Sequence, residues 1–313
     1  MNAWTGHRAS GSTRSGRPTS RAIMSSQWPH TMPALITPFT SNGLVDIAKH
    51  RHNVSVAISQ SSQGVLVAGS TGEGPYIEQG ERTTLVSEAR SVSTDLVIIC
   101  AIFAETDRQA HAQITEAADA GANAVLVVTP TTLIRGRDIA VADFFLRVAD
   151  FSPVPILLYT VPPVTGYELP VPTIAELANH DVIRGMKDSG GDPSRVGALK
   201  TTLSTGFLVY AGNSSAVLES AQLGAHGAIT ASANYAATTL DRAVAGDATA
   251  QDRLNTITAI VQHHGVAGTK FAASLQGMEI GTSRLPLQAI SPEAEQSIRA
   301  AFTDLTSASP QSD

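Results

Sequence analysis

A lysine and a tyrosine, each at the end of a short apolar segment, are the residues of this chain best placed for covalent chemistry. Lys187 ends the segment Val182–Lys187, and Tyr159 ends the segment before it, Ile156–Tyr159. If these segments are neighbouring parallel strands, they lie about 4.8 Å apart and both side chains can reach one substrate carbon. An amine that loses hydration on burial is partly neutral, and a neutral amine can attack a ketone to form a Schiff base. A phenol beside it can pass protons to and from a carbinolamine or an aldol hydroxyl.

Both residues also have a simpler interpretation. Lys187 could pair with Asp188 or with another acid at the rim of the sheet, and a lone tyrosine at a strand end is more often half-buried packing. Because side chains alternate along a strand, we expect Ile183, Gly185 and Lys187 to share one face. The chain has three other lysines, all within predicted helices, where we expect exposed side chains: Lys49, Lys200 and Lys270.

A glycine-rich loop follows the second predicted strand. It reads Gly69-Ser-Thr-Gly-Glu-Gly-Pro75, and its glycines allow a tight turn that directs backbone N–H groups at an anion. Ser70 and Thr71 add hydroxyl groups, which suits a carboxylate. The loop has neither the GxGxxG nor the Walker spacing, so a nucleotide site is not indicated. An ordinary turn between a strand and a helix is the alternative.

The elements that must position these residues alternate between strand and helix. Eight short apolar segments predict strands: Ala34–Pro38, Gly64–Ala68, Leu96–Ala101, Ala124–Val128, Ile156–Tyr159, Val182–Lys187, Leu208–Tyr210 and Gly227–Ile229. The segments between and after them suit helices: Ile47–Ser59, Glu78–Val92, Asp107–Ala120, Ala140–Ala149, Thr173–Ala178, Pro193–Thr202, Ser214–Leu223 and Tyr235–Ala245. Continuously apolar strands indicate a sheet buried on both faces. We therefore predict a (β/α)8 TIM barrel over residues 32–247, with an open doubly wound sheet as the alternative, and appended helices over residues 248–313.

Composition and charge exclude several classes of protein. The 313 residues are 42% hydrophobic and 15% charged with a net charge of −6, which favours neither a nucleic-acid nor a membrane partner. A single cysteine, Cys100, rules out an internal disulfide, and the scattered histidines indicate no metal site. Residues 1–31 are rich in arginine and serine and contain no acid, as in an organelle transit peptide; an unstructured extension or a later start codon is the alternative. We expect a cytoplasmic or mitochondrial protein, not a secreted one.

Three motifs resemble those of the dihydrodipicolinate synthase / N-acetylneuraminate lyase family. They are Gly69–Glu73, Leu158–Gly166 and Gly185–Asp192, in that order. The family consists of pyruvate-handling class I aldolases, built on a (β/α)8 barrel with C-terminal helices. The resemblance implies that Lys187 forms the Schiff base, that Tyr159 transfers protons and that Ser70 and Thr71 hold the pyruvate carboxylate. It also implies that the backbone of Gly212 lies beside the substrate.

Within that family the chain is most similar to the 4-hydroxy-2-oxoglutarate aldolase branch. The likeness lies in Tyr159–Gly166, Gly185–Asp192 and Pro286–Pro292, and it implies that Ser189 faces the distal part of the substrate. In dihydrodipicolinate synthases an arginine after the catalytic tyrosine binds the carboxylate of the second substrate, whereas this chain has Val164 there. The mammalian relatives of the branch are mitochondrial.

A second departure concerns the proton relay. The family usually has tyrosines after the fourth strand, one of which crosses a subunit interface, whereas this chain has Thr129-Pro-Thr-Thr-Leu133. Either Thr131 or Thr132 takes that part with a water molecule, or the relay is broken. The missing tyrosine also leaves open whether the usual tight dimer forms. A homo-oligomer, dimer or tetramer, remains the expectation.

We expect a lyase that cleaves 4-hydroxy-2-oxoglutarate to pyruvate and glyoxylate, with a 2-oxo acid and an aldehyde as its small-molecule partners. The Schiff base on Lys187 would need no cofactor and no metal. Ser189, Arg135 or Arg137 would bind the distal carboxylate. Two alternatives stay open: a Schiff-base dehydratase or other lyase acting on a sugar-acid-derived 2-oxo acid, and a non-catalytic barrel that binds a 2-oxo acid.

Overall fold

Eight parallel strands form one sheet that curls into a barrel. The computed structural model describes residues 28–203 and 206–307. The strands are β1 (Thr31–Pro33), β2 (Gly64–Val67), β3 (Val97–Ile102), β4 (Ala124–Val128), β5 (Ile156–Thr160), β6 (Ile183–Asp188), β7 (Leu208–Ala211) and β8 (Gly227–Thr230). From β2 to β8 each strand pairs with the next in the chain, and β1 pairs with β8. A bridge between Ala34 and Leu66 joins β1 to β2, which confirms the predicted (β/α)8 barrel.

Helices follow the strands and cover the barrel. They are α1 (Ile47–Ser59), α2 (Glu81–Val92), α3 (Asp107–Asp119), α4 (Asp138–Phe151), α5 (Pro162–Thr165), α6 (Val171–Leu177), α7 (Ser194–Thr202), α8 (Val217–Gln222), α9 (Ala237–Val244), α10 (Ala248–His263), α11 (Gly265–Ser274) and α12 (Pro292–Ser307). Asp46, Thr106 and Asp247 precede α1, α3 and α10, and each side chain accepts a hydrogen bond from a free N–H of the first turn. Among the described residues, no helix is both long and apolar enough to cross a bilayer.

The alternation of side chains along each strand divides the core into two layers. Residues such as Ile99, Leu126 and Leu157 fill the inside of the barrel. Their neighbours in sequence, such as Ile98 and Leu158, pack outward against the helices. Tyr159 belongs to the inner layer, so its side chain points into the barrel at the end of β5. Two buried faces explain why the strands are apolar at successive positions.

The first strand lies earlier than predicted. It covers Thr31–Pro33 instead of Ala34–Pro38, because this stretch pairs in register with β8. Trp28 is buried in the inner layer, and the Tyr210 hydroxyl donates to the carbonyl of Pro29 over 2.8 Å. Residues 28–31 thus belong to the barrel, not to the predicted extension. The rest of that extension, residues 1–27, lies outside the described residues, as do residues 308–313.

A shift in register alters the face of one residue in β6. Ile156 pairs with Ile183, but the next residue of β5, Leu157, pairs with Gly185. The prediction that Ile183 shares a face with Lys187 is therefore wrong, and Ile183 packs in the outer layer. The extra residue leaves the pairing of Tyr159 with Lys187 intact at the end of the two strands.

Candidate active site

Lys187 and Tyr159 meet at the carboxyl end of the barrel. They are directly paired residues on β5 and β6, which are neighbouring strands. The Lys187 Nζ atom lies 4.6 Å from the centroid of the Tyr159 ring. Both residues are buried, with 5% and 3% of their surface exposed. The amine and the phenol therefore face one small volume at the end of the barrel where TIM barrels carry out their chemistry.

No acid neutralises Lys187. In the part of the chain that the structure describes, no carboxylate forms an ion pair with its amine. The adjacent acid, Asp188, instead accepts from Arg195 Nε over 2.9 Å, and Arg195 also donates to Glu168. Asp188 further accepts from the Gly190 N–H over 2.8 Å. The pairing of Lys187 with Asp188, considered above as the simpler interpretation, is therefore absent, and the amine is left for a ligand.

Two serines surround the phenol of Tyr159. The Ser70 hydroxyl lies 3.4 Å from the Tyr159 oxygen. Burial opposes ionisation of the phenol, but the charge of Lys187 and the hydrogen bonds of Ser70, Ser189 and Lys187 outweigh it and lower the pKa of Tyr159. A lower pKa increases the fraction of the phenol that is ionised, and the phenolate is the form that can accept a proton from a substrate hydroxyl.

Gly212 leaves the room that the amine needs. A Cβ atom on Gly212 would lie 2.1 Å from Ser189 Oγ and 2.8 Å from Lys187 Cε. The Gly212 N–H donates to the carbonyl of Asp188, which follows Lys187 in β6. The backbone of β7 thus continues directly beside the reactive lysine, and any side chain at this position would displace Lys187 and Ser189.

The glycine-rich loop presents free donors toward an anion. The hydroxyl of Thr71 and the N–H groups of Ser70 and Thr71 form no hydrogen bond within residues 28–203 and 206–307. The Thr37 hydroxyl holds the loop by donating to the Gly72 carbonyl over 2.7 Å. Ser70 Oγ thus lies beside the phenol, whereas the Thr71 hydroxyl and the two N–H groups have no hydrogen-bond partner among the described residues.

The two threonines that replace the expected relay tyrosine differ in placement. Thr131 is buried, with 7% of its surface exposed, just beyond the end of β4. Thr132 is exposed, and its N–H donates to Glu105 over 2.9 Å. Thr131 is therefore the buried one of the two, and the part of either residue in a proton relay stays a prediction.

Two side chains at α5 differ in character, since Val164 is apolar and Arg135 is cationic. Val164 is 67% exposed on α5. Arg135 lies in the loop before α4, and its Nη1 atom is 3.2 Å from the position of a Cβ atom on Gly166, the residue that ends α5. Among the described residues no acid pairs with Arg135. Its guanidinium is therefore available beside the turn that carries Val164.

Several supporting residues could not be identified from the sequence. One of them is Arg195, which forms an ion pair with Asp188, seven positions earlier in the chain. Lys270, predicted to be exposed on a helix, is in fact 3% exposed and paired with Glu73 of the glycine-rich loop. Within the described ranges, no three His, Cys, Asp or Glu side chains come together in a way that could hold a metal ion.

Known proteins are similar to this chain in sequence and in fold. The model of the dihydrodipicolinate synthetase family matches residues 28–305. A 4-hydroxy-tetrahydrodipicolinate synthase of Exiguobacterium sp. is 32% identical over 279 residues, which cover 86% of this chain and 95% of that protein. The corresponding synthase 1 of Streptomyces coelicolor is 30% identical over 291 residues, 89% of this chain and 94% of that protein. The crystal structure of dihydrodipicolinate synthase from Acinetobacter baumannii complexed with pyruvate superposes with a TM-score of 0.81 at 28% identity, covering 89% of this chain and 99% of that one.

Proposed function

The chain belongs to the dihydrodipicolinate synthetase family, and we propose that it is a Schiff-base-forming class I aldolase that cleaves or forms a 4-hydroxy-2-oxo acid. The observation that carries the proposal is the buried, acid-free amine of Lys187, 4.6 Å from the ring of Tyr159. The pyruvate complex of the similar Acinetobacter protein supports a 2-oxo acid as the ligand.

The mechanism follows from these two residues. The Lys187 amine attacks the C2 carbonyl, and the carbinolamine loses water to give an iminium ion. In cleavage, Tyr159 takes the proton of the C4 hydroxyl, the C3–C4 bond breaks, and its electron pair moves into the enamine as the aldehyde leaves. Protonation of the enamine at C3 and hydrolysis of the iminium release pyruvate and restore the amine. Thr71 and the free N–H groups of the loop hold the C1 carboxylate, which fixes the orientation of C2.

The leading substrate is 4-hydroxy-2-oxoglutarate, which would be cleaved to pyruvate and glyoxylate. Two features support this choice over the activity of the relatives named 4-hydroxy-tetrahydrodipicolinate synthase. Val164 cannot replace an arginine as the partner of the second substrate's carboxylate. Arg135, beside the same turn, offers a guanidinium from another direction, where it can bind the distal carboxylate of the 4-hydroxy-2-oxo acid.

The first test is reductive trapping with pyruvate and borohydride, followed by peptide mass spectrometry. We expect an adduct on Lys187 that is lost in Lys187→Ala and kept in Lys200→Ala, a lysine on α7 outside the site. An acceptor screen that begins with glyoxylate then identifies the aldehyde. Water loss without cleavage of a carbon–carbon bond would favour the dehydratase. Binding of a 2-oxo acid without turnover would favour the non-catalytic barrel.

The second test concerns the distal carboxylate. We expect Arg135→Gln to lower kcat/KM for 4-hydroxy-2-oxoglutarate about ten- to hundredfold, because a charged hydrogen bond is lost. Cleavage of a 4-hydroxy-2-oxo acid with an uncharged C4 substituent should be unaffected. Arg147→Gln, at an exposed arginine on α4 that has no part in the proposal, is the control. Equal losses on both substrates would remove Arg135 from the specificity argument.

A further inference from the structure

A buried ion pair ties the substrate-binding loop to the C-terminal helices. Glu73 follows Ser70, Thr71 and Gly72, and its side chain is fully buried. Its Oε1 atom lies 2.6 Å from the Nζ atom of Lys270 on α11, whose side chain is 3% exposed. The two residues are almost 200 positions apart, so the contact joins the catalytic barrel to the appended region.

The other contacts of the pair reach a third segment. Lys270 Nζ also donates to the Thr282 carbonyl over 2.7 Å, and the Arg284 N–H donates to Glu73 Oε2 over 2.9 Å. The Thr282 N–H in turn donates to the Phe39 carbonyl over 2.8 Å. One carboxylate oxygen of Glu73 is therefore paired with Lys270 on α11, and the other accepts from Arg284 in the segment after α11. That segment is itself fixed to the loop between β1 and α1.

The loop that Glu73 ends needs such support. Ala68 and Glu73 flank it with φ angles of +54° and +59°, a left-handed conformation that is unfavourable for residues other than glycine. The Glu73 N–H donates to the Ser70 carbonyl over 3.1 Å, and Ser70 Oγ lies 3.4 Å from the phenol of Tyr159. A displacement of Glu73 would therefore move Ser70 and Thr71 relative to Lys187.

We propose that Lys270 is a positioning residue of the active site, which acts through Glu73 to hold Ser70 and Thr71 in place for the carboxylate of the 2-oxo acid. The inference rests on the proposed function, because that function supplies the carboxylate. A buried ion pair adds little net stability, since the cost of removing two charges from water offsets their attraction. The hydrogen bonds of the two residues are directional, however. They can therefore fix the position of a loop that contains two residues in an unfavourable backbone conformation.

The experiment compares three variants by the pyruvate concentration that gives half-maximal borohydride trapping on Lys187. They are Lys270→Met, Glu73→Gln and the double variant. Lys200→Met is the matched control, because Lys200 lies on α7 and its Nζ atom donates to the Phe207 carbonyl instead of to an acid of the loop. Hydrogen exchange of peptides spanning residues 68–76 gives a second readout that does not depend on pyruvate.

We expect each single variant to raise the half-saturating pyruvate concentration about tenfold or more, as a misplaced binding group does. The double variant should bind pyruvate as weakly as the single variants, because all three lose the same ion pair. Exchange in residues 68–76 should accelerate in all three and stay unchanged in the control. Glu73→Gln removes the charge of the side chain and keeps its size, so it decides the outcome should Lys270→Met fail to fold.

Two results would overturn the inference. In each single variant one buried charge loses its partner, whereas the double variant contains neither charge. Weak pyruvate trapping by the single variants together with normal trapping by the double variant would therefore show that the pair has only a structural role. Unchanged exchange in residues 68–76 of Glu73→Gln would do the same. Absence of an adduct in the wild-type protein is a separate result, which rejects the proposed function while the exchange readout still tests the positioning.

Discussion

At the scale of single residues, the site depends on what is missing beside Lys187. No acid pairs with its amine among the described residues, because Arg195 occupies Asp188. No side chain at Gly212 crowds it. The phenol of Tyr159 lies beside the amine, and its pKa is lowered despite burial by the charge of Lys187 and by hydrogen bonds. The amine and the phenol can therefore each exchange a proton with a substrate between them.

Gly212→Ala tests this packing. The new methyl group would lie 2.1 Å from Ser189 Oγ and 2.8 Å from Lys187 Cε, so both side chains must move. We expect trapping of pyruvate on Lys187 to fall about a hundredfold, since small displacements of reacting groups are costly. Gly197→Ala, in α7, is the control, because the nearest atom to its new methyl group would lie 3.7 Å away. Trapping at the wild-type rate in Gly212→Ala would show that the lysine tolerates the displacement.

At the scale of the elements, two neighbouring helices are joined by a buried histidine. His50 of α1 is 1% exposed, and its Nε2 atom bonds to the Leu85 carbonyl of α2 over 2.9 Å. Its Nδ1 atom has no hydrogen-bond partner among the described residues, so the neutral ring with the proton on Nε2 fits the site. Burial lowers the pKa of His50 to about 4, against a smaller opposing effect of the Leu85 hydrogen bond and of Glu88. The α1–α2 contact thus depends on an uncharged imidazole.

This burial predicts how stability changes with pH. Between pH 6.5 and about 4 the unfolded chain binds a proton at His50 that the folded chain does not. The free energy of unfolding should therefore fall as the pH is lowered through this range, by about 3 kcal/mol in total. His50→Gln, which can still donate to the Leu85 carbonyl, should flatten the dependence, whereas the exposed His52→Gln on the same helix should not. Identical pH profiles for both variants would contradict the assignment to His50.

At the scale of the whole molecule, residues distant in sequence close the barrel at both ends. Trp28 is buried in the inner layer beyond the start of β1, and the Pro29 carbonyl accepts from the Tyr210 hydroxyl. At the opposite end, the segment after α11 holds Glu73. The described chain thus begins at the amino end of the barrel strands, and its last part contacts the loop at their carboxyl end. Both parts therefore contribute to the fold that positions Lys187 and Tyr159.

Trp28→Ala measures the contribution of the lower end. We expect the free energy of unfolding to fall by about 3 kcal/mol or more, as for other buried tryptophans, when urea unfolding is measured. Ile139→Ala, at a side chain that is 82% exposed, should change it by less than about 0.5 kcal/mol. A loss below about 1 kcal/mol in Trp28→Ala would return residues 28–31 to the extension that composition alone suggested.

The sequence by itself determined the features that depend on neighbours in the chain. Continuous apolar segments separated by helical stretches indicated eight strand–helix units. The position of Tyr159 and Lys187 at the ends of successive strands placed them side by side, because sequential strands of a parallel barrel pair in register. Both inferences need only local patterns and the rule that strands follow one another around the barrel.

Only the tertiary structure decided the features that depend on distant partners. The register shift in β6 turned Ile183 outward, and the pairing of β1 with β8 moved the first strand to Thr31–Pro33. Lys270 was expected to be exposed because a helical lysine shows no sign in the sequence of an acid almost 200 residues away. Burial, ion pairing and strand register depend on the residues that pack against a given position. Periodicity along the chain does not indicate which residues those are.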